Sequence, residues 1–417
     1  MLRIALLACA MLNAAKAVSL EDAQDYCDDL GMEIMEANQI IRTSDTVIEN
    51  KVIYGMPTDD SKENDLALKI VKGDNITIRN VVIFHAANTI GIYIYNASNV
   101  TLENVQVIAY GNDWGAAACP SRTPFRGYDC SNIKVQYTEG LVLNNVYTEN
   151  GSRGISIVYA PNAILTNIVS KNVRGPFPAG QCVQMGYSDD TVLDNFTCIN
   201  DLDIAWPEDS ISAYRSSNIS ITNGVVEGSN APTGICVMFE GSDPDVHDGL
   251  IENVEARYCQ GCFSGYPING LTQRNVTCAS PVCRSDDPPR GGKDYVNMWT
   301  AGDNYRDDVY AYNIDVQDSF YYDPCDDSEG RIYWESRKGE VFSNGGPQVT
   351  ELSEWEPKEA FENNFPWEGC FSAPEIDCSE FAVQEVGSTA PRVTVQTTTG
   401  ETVYETVYGS CWPEEGG

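Results

Sequence analysis

Histidine is almost absent from this chain: among 417 residues only His85 and His247 occur. A zinc site built on histidine has little to draw on, and the single Cys-x-x-Cys pair, Cys259 and Cys262, has no second ligand pair near it in sequence. Cations are scarce too. Lys and Arg number 26 against 61 Asp and Glu, giving a net charge of −35. Nucleic acid and anionic membrane are disfavoured as partners, because the phosphate attraction that drives both would become repulsion. After the first seventeen residues no apolar run is long enough to span a bilayer, and the middle of the chain lacks the 3.6-residue apolar period of amphipathic helices. Membrane helices and helical bundles therefore drop out.

What the chain does contain is one short phrase, used nine times: an apolar alternation that ends in Asn. It reads ITIRNV at Asn80, VTLENV at Asn104, LVLNNV at Asn145, AILTNI at Asn167, TVLDNF at Asn195, ISITNG at Asn223, LIENVE at Asn253, LTQRNV at Asn275 and VYAYNI at Asn313. The asparagines are 24, 41, 22, 28, 28, 30, 22 and 38 residues apart. Repeats of that length are the mark of a solenoid, and Val- and Ile-rich alternation makes each repeat one coil of strands. Asn suits the corner because it tolerates a left-handed backbone, and stacked amides satisfy one another's donors and acceptors. A second turn column stands five residues earlier, at Asn75, Asn99, Asn162, Asp190, Asn218 and Asp248.

A second strand follows in each coil: GIYIY (91–95), GISIV (154–158), CVQMG (182–186), SISAY (210–214), ICVMF (235–239) and CFSGY (262–266). Aligning Ile92, Ile155, Val183, Ile211, Ile235 and Phe263 as an inward column turns Tyr93, Tyr95, Gln184, Tyr214, Met238 and Tyr266 outward. This grammar resembles the right-handed parallel β-helix of the pectin-lyase-like superfamily over roughly residues 45–320. The expected fold is an all-β solenoid of roughly nine to ten coils.

The ends read differently. Residues 1–17 have the basic start, short apolar run and Ala15-Lys16-Ala17 of a signal peptide, so a secreted, extracellular protein is expected. Residues 18–44 read as an N-terminal cap with a polar helix opened by Ser19 and Asp22 in capping-box spacing, 321–385 as an irregular C-terminal cap, and 386–417 as a Thr-rich mobile tail. Fourteen cysteines follow the signal peptide, an even number that suggests disulfides, with Cys119–Cys130 and Cys278–Cys283 the expected local loops. Of seven Asn-x-Ser/Thr sequons, at Asn75, Asn96, Asn99, Asn150, Asn195, Asn218 and Asn275, those at Asn96 and Asn150 read as loop sites and those at ladder asparagines as buried ones.

The outward row of the second strands is the expected binding surface, with Tyr93, Tyr95, Gln184 and Tyr266 contacting sugar. Arg153, Glu208, Asp209, Tyr214, Arg215 and Glu240 gather at the ends of the same strands, and loops bring Trp114, Arg122, Arg126, Lys171, Arg174, Asp243, Asp245 and His247. The comparison with the superfamily's enzymes is uneven. Asp209 stands where polygalacturonase-like hydrolases carry an acidic residue, but PTGIC (232–236) replaces their double aspartate and their Gly-His-Gly and Arg-x-Lys phrases are absent. Lyases and C5-epimerases of the superfamily neutralise a uronate carboxylate with Ca²⁺ or Arg and then remove the C5 proton. The resemblance implies that chemistry here, with Arg215, Tyr214, Arg153, Asp209, Glu240 and His247 as catalytic candidates and Glu208, Asp209 and Glu240 as Ca²⁺ ligands. The expected partner is an acidic polysaccharide and the expected state a monomer. A hydrolase and a non-catalytic glycan-binding or matrix protein are the alternatives, since fold alone does not fix function.

Overall fold

The structure, a computed structural model, describes residues 32–37, 39–55, 66–86, 89–110, 130–175, 180–201, 205, 207–229, 235–241, 246–259, 261–279, 299–301, 311–323, 333–334, 346–365, 392–398 and 401–407. The signal sequence, Trp114, Cys119, Arg122, Arg126, Asp243 and Asp245 lie outside these residues.

Two parallel sheets wind around one narrow core. The long-strand sheet has fourteen strands, among them Asp74–Ala86, Ser98–Tyr110, Glu139–Glu149, Ile219–Ser229 and His247–Cys259. The short-strand sheet has eleven, among them Leu66–Val71, Ile90–Tyr95, Ser131–Gln136, Arg153–Val158, Val183–Gly186, Ile211–Tyr214, Ile235–Glu240 and Gly261–Tyr266. Every pairing within these two sheets is parallel and joins a coil to the next, so the chain alternates between sheets and advances one level per turn. Parallel crossovers of this kind wind right-handed. The fold is the expected parallel β-helix, with eleven short-strand levels rather than nine to ten.

Alternation supplies the core. In one coil Ile76, Ile78, Val81, Ile83, Ile92 and Ile94 point inward and are fully buried, and Val100, Leu102, Val105, Val107, Ile133 and Val135 repeat them one level on. Each such side chain contributes about 1.5–3 kcal/mol by burial. The Asn corner interrupts each long strand. Asn50, Asn80, Asn104, Asn145, Asn167, Asn195, Asn223, Asn253 and Asn275 all have φ between 51° and 58°. Their Nδ2 groups donate down the stack, Asn104 to Asn80 at 3.1 Å, Asn145 to Asn104 at 2.8 Å and Asn195 to Asn167 at 2.7 Å, although Asn167 and Asn223 use Asn144 and Asp194 as acceptors instead. Asn313 is a correction. It belongs to the second turn column, donating to Asn269, while Asp318 takes the place next to Asn275. Gly140 and Gly270, both at positive φ, fill the gaps in that second column. The ladder asparagines are half-buried rather than buried, and Asn50, Asn223 and Asn275 are exposed.

Three other expectations change. Glu33–Glu36, the described part of the expected capping helix, is a strand paired in register with Lys51–Tyr54, because Met32 and its neighbours have a sheet edge to extend; its coil begins before residue 45. Cys278 bonds Cys262, not Cys283, and Cys182–Cys198 and Cys236–Cys259 are bonded likewise. Each bridge joins a short strand or the residue just before it to the following long-strand level, inside the core, and closes 16 to 23 residues. Cys130 is also disulfide-bonded. Finally, Arg392–Thr398 and Glu401–Val407, in the expected mobile tail, form an antiparallel hairpin, which their β-branched content favours.

The segment expected to cap the C-terminal end includes a strap that runs back along the side. Trp355 Nε1 donates to Glu255 Oε2 at 2.9 Å, Thr197 Oγ1 donates to Phe361 O, and Asn363 Nδ2 donates to Asn145 Oδ1 at 2.7 Å. Phe365 ends in an apolar patch with Met32, Val52, Val82, Phe84 and Ile108, near the first coils.

Candidate functional site

The six successive coils whose short strands run from Leu66–Val71 to Ile211–Tyr214 turn three left-handed corners each, and the residue types at the third are unlike those at the other two. The ladder corner is Asn from Asn50 to Asn275 and Asp at Asp318, and the second column holds Asn, Asp and Gly. The third corner, just after each short strand, runs Lys72, Asn96, Tyr137, Tyr159, Tyr187 and Arg215, all at φ of 50° to 60°. A bulky side chain with positive φ is uncommon, and holding it there costs on the order of 1 kcal/mol per residue. Strain of this kind gathers where side chains have a task.

The tyrosines form one continuous row. Ring centroids lie 6.0 Å apart for Tyr93–Tyr95, 5.8 Å for Tyr95–Tyr137, 4.9 Å for Tyr137–Tyr159, 4.8 Å for Tyr159–Tyr187 and 5.6 Å for Tyr187–Tyr214. Tyr137, Tyr159 and Tyr187 stack face to face, so their ring faces cover one another. Arg215 ends the row. Its guanidinium lies 5.0 Å from the centre of Tyr214 and 5.6 Å from that of Tyr187, and Nη1 donates to Tyr187 Oη at 2.7 Å. Its buried Nε has no hydrogen-bond partner among the described residues.

Beside this terminus three carboxyl groups meet. Arg153 Nε donates to Gln181 Oε1 at 2.7 Å, and Gln181 Nε2 donates to Glu208 Oε2 at 3.2 Å, a relay across three successive coils. Burial pushes the Glu208 carboxyl up to about 7; Arg153 pulls the other way and Glu240 adds to the rise. Asp209 is held well above the usual carboxylate range, first by burial and then by the Glu208 charge, although its Oδ1 accepts the Ile235 N–H at 3.1 Å. Burial also raises Glu240, against the pull of Arg215. Tyr214 is raised by burial despite Arg215. Glu208 is thus raised to near neutrality with Arg153 and Glu240 beside it. That is the property a proton-transferring carboxyl needs.

The structure brings Arg153, Glu208, Asp209, Tyr214, Arg215 and Glu240 into one neighbourhood, as expected, but in a different register. Ile211 pairs with Val237 and not with Ile235, so Glu240 stacks beside Tyr214 and Tyr266, while Met238 falls beside Ser212. A slip of two residues preserves which side chains face inward, so alternation alone does not reveal it. Gln184 lies in the outward row, where its Oε1 accepts from Ser156 Oγ at 3.2 Å. Tyr93 donates to Gln136 Oε1 at 2.8 Å. Tyr266 shares the row by its backbone. His247 stands apart: it opens the strand His247–Cys259 in the other sheet and contacts Asp248 at 2.8 Å. Among the described residues no three His, Cys, Asp or Glu side chains are grouped to hold a metal ion, Glu208, Asp209 and Glu240 included. In sequence Gln181 lines up with Arg153 and Asp209, and Tyr159 and Tyr187 line up with Arg215, but the relay itself and Tyr137 come from the structure. Their fixed offset from the inward column was the available signal.

No family model matches the chain, and no curated protein matches it. Solved structures do. A lacto-N-biosidase from Eubacterium ramulus is 11% identical, covering 60% of this chain and 58% of that one, at a TM-score of 0.41. An alginate lyase from a Paenibacillus species is 11% identical, covering 80% and 96%, at 0.34. A mannuronan C-5 epimerase A-module from Azotobacter vinelandii is 11% identical, covering 81% and 95%, at 0.31. These are parallel β-helix proteins. The chain is a parallel β-helix protein. The likeness is one of fold, and the β-helix spans little more than half of the lacto-N-biosidase.

Proposed function

We propose that this β-helix is a secreted protein acting on a uronic-acid polysaccharide, as a lyase or C5-epimerase. One observation carries the reading. Six consecutive short strands, from Leu66–Val71 to Ile211–Tyr214, contain Lys69, Lys134 and Arg153 and not one Asp or Glu, in a chain with 61 acids. This face ends at Arg215 and the three raised carboxyls. In a chain of this net charge an anionic polymer is repelled on average; on this face it meets cations and carboxyls of raised pKa. Disulfides inside the core agree with an oxidising compartment.

In the mechanism Arg215 neutralises the substrate carboxylate, which acidifies the C5 hydrogen. Glu208, ionised in half of the molecules near pH 7, accepts that proton. Tyr214, its pKa raised, stays protonated and is the donor rather than the base expected from sequence. In elimination the C5–H pair forms the C4–C5 double bond, the bond to the C4 oxygen breaks and that oxygen takes the Tyr214 proton. In epimerisation Glu208 keeps the proton it has taken, and Tyr214 gives its own proton to the opposite face of C5. No step requires Ca²⁺.

A hydrolase is the second reading, favoured by the charge contact of Glu240 with both Glu208 and Asp209, because hydrolysis uses two carboxyls flanking the bond. Incubation with a panel of uronic-acid polysaccharides separates the readings: new unsaturated ends signal lysis, new reducing ends alone signal hydrolysis, and changed C5 configuration signals epimerisation. Arg215→Ala should abolish whichever occurs while the fold persists. Full activity in that variant would move the site elsewhere, and binding without turnover would leave a glycan-binding protein.

A further inference from the structure

We infer that Lys69, Tyr93 and Lys134 form a distal subsite for the carboxylates of a linear acidic glycan, so that the ligand lies along the solenoid axis and spans six coils. This rests on the function proposed above and extends it to a part of the surface far from the carboxyl trio.

Three observations converge. Lys69, Tyr93 and Lys134 are direct neighbours in one outward row on three successive short strands. The two ammonium groups lie 5.2 and 5.6 Å from the centre of the single Tyr93 ring, a placement that gathers positive charge around one phenol in a strongly anionic chain. Tyr93 then starts the tyrosine row, which leads without a break through Tyr95, Tyr137, Tyr159 and Tyr187 to Arg215. Cations thus stand at both ends of a strip of phenol hydroxyls, and the short strands between them bring no carboxylate.

Scale sets the ligand. Coils rise about 4.8 Å each, so the Tyr214 level lies roughly 14 Å from Lys134 and 24 Å from Lys69. A disaccharide cannot reach both ends, whereas a chain of several sugars can. The stacked tyrosines carry one hydroxyl per coil, suited to hydrogen bonds with successive sugars rather than to stacking on their faces. Left-handed tyrosines at this corner, where the other corners use Asn, Asp and Gly, fit a row kept for contact.

The test is the affinity of uronate oligosaccharides of increasing length for the intact protein, by calorimetry, in wild type, K69A/K134A and the charge-retaining K69R/K134R, with thermal unfolding of each. The expected result is an affinity that climbs with length in wild type and K69R/K134R, a K69A/K134A variant about tenfold weaker for long chains, and equal affinities for disaccharides. If K69A/K134A gains affinity with length as steeply as wild type does, the distal subsite is refuted while the proposed function stands. If wild type binds no uronate oligosaccharide of any length, the proposed function fails and the subsite with it.

Discussion

Glutamine at position 208 should make this protein more stable at pH 8 and inactive at every pH. The argument starts from burial. Glu208 is largely shielded from water, and its carboxyl is raised from 4.5 to about 7. A raised acid binds its proton more tightly in the folded state than in the unfolded chain. Its neutral form is therefore favourable to folding at low pH, and stability is lost as pH rises from about 4.5 to about 7, after which the loss is complete. At 1.36 kcal/mol per unit the loss is about 3 kcal/mol. Glu208→Gln keeps the shape, keeps a partner for Gln181 and removes the titration. At pH 5 the two proteins should unfold at closely similar urea midpoints. At pH 8 the variant should be more stable by about 2–3 kcal/mol, the lower figure allowing for the lost attraction to Arg153. The difference between the proteins is the readout, because a net charge of −35 makes the wild type more self-repelling at high pH for unrelated reasons. Equal midpoints at both pH values would refute the raised carboxyl, and with it Glu208 as the group that moves a proton near neutrality.

Three further outcomes follow from the fold. Asn195→Ala removes a 2.7 Å bond to Asn167 and places alanine at φ 52°, so it should cost about 2 kcal/mol in urea unfolding, while Asn195→Gly, which tolerates that backbone, should cost about 1 kcal/mol. Glu255→Ala removes the acceptor of Trp355 Nε1 and the Lys358 N–H, and should expose the strap to hydrogen exchange at 355–365 with an overall loss of about 2 kcal/mol; unchanged protection there would mean that the contacts of Phe361, Asn363 and Phe365 hold the strap without Glu255. EDTA should leave turnover unchanged, since the three acids of the site are not arranged as a cage; loss of turnover restored by Ca²⁺ would reinstate the metal reading.

The solenoid was legible because its signal is repeated. Each Asn phrase is weak alone, yet eight of the nine fell at the same left-handed corner, and the ninth, Asn313, fell in the neighbouring column of the same coils. The offset between strands was less legible. Period-two alternation fixes which side chains face inward, and Val237 and Phe239 do, but it is blind to an even slip, so Glu240 was placed beside the wrong neighbours. The strap was hidden for another reason. Its partners, Glu255 with Trp355 and Asn145 with Asn363, are 100 and 218 residues apart, and no repeat connects them. Of the site, the residue types and their strand ends were visible in sequence, while the interaction of Glu208 and Asp209 with Glu240 required two coils to be stacked in the right register.

The third corner shows how structure adds to what repetition can say. A solenoid built only for stability would use one corner residue at every turn, and twice in each coil this one nearly does. At the third turn the same left-handed backbone is asked of Tyr137, Tyr159, Tyr187 and Arg215, with the first two 50% and 42% exposed. Their stacking returns about 0.5–1.5 kcal/mol per pair, enough to offset a backbone cost of on the order of 1 kcal/mol each. Asparagine would meet the corner without either term, so net stability gives little reason to prefer tyrosine. What tyrosine alone provides is a phenol at every level, in a line that ends at the Arg215 guanidinium, which acts on the raised Glu240 carboxyl. The replacement of Asn by Tyr is therefore better explained by what the row touches than by what it holds together. Tyr159→Asn separates the two directly: it should leave the unfolding midpoint within about 1 kcal/mol of wild type and weaken binding of long uronate chains. A large stability loss with unchanged affinity would make the row a structural ladder and nothing more.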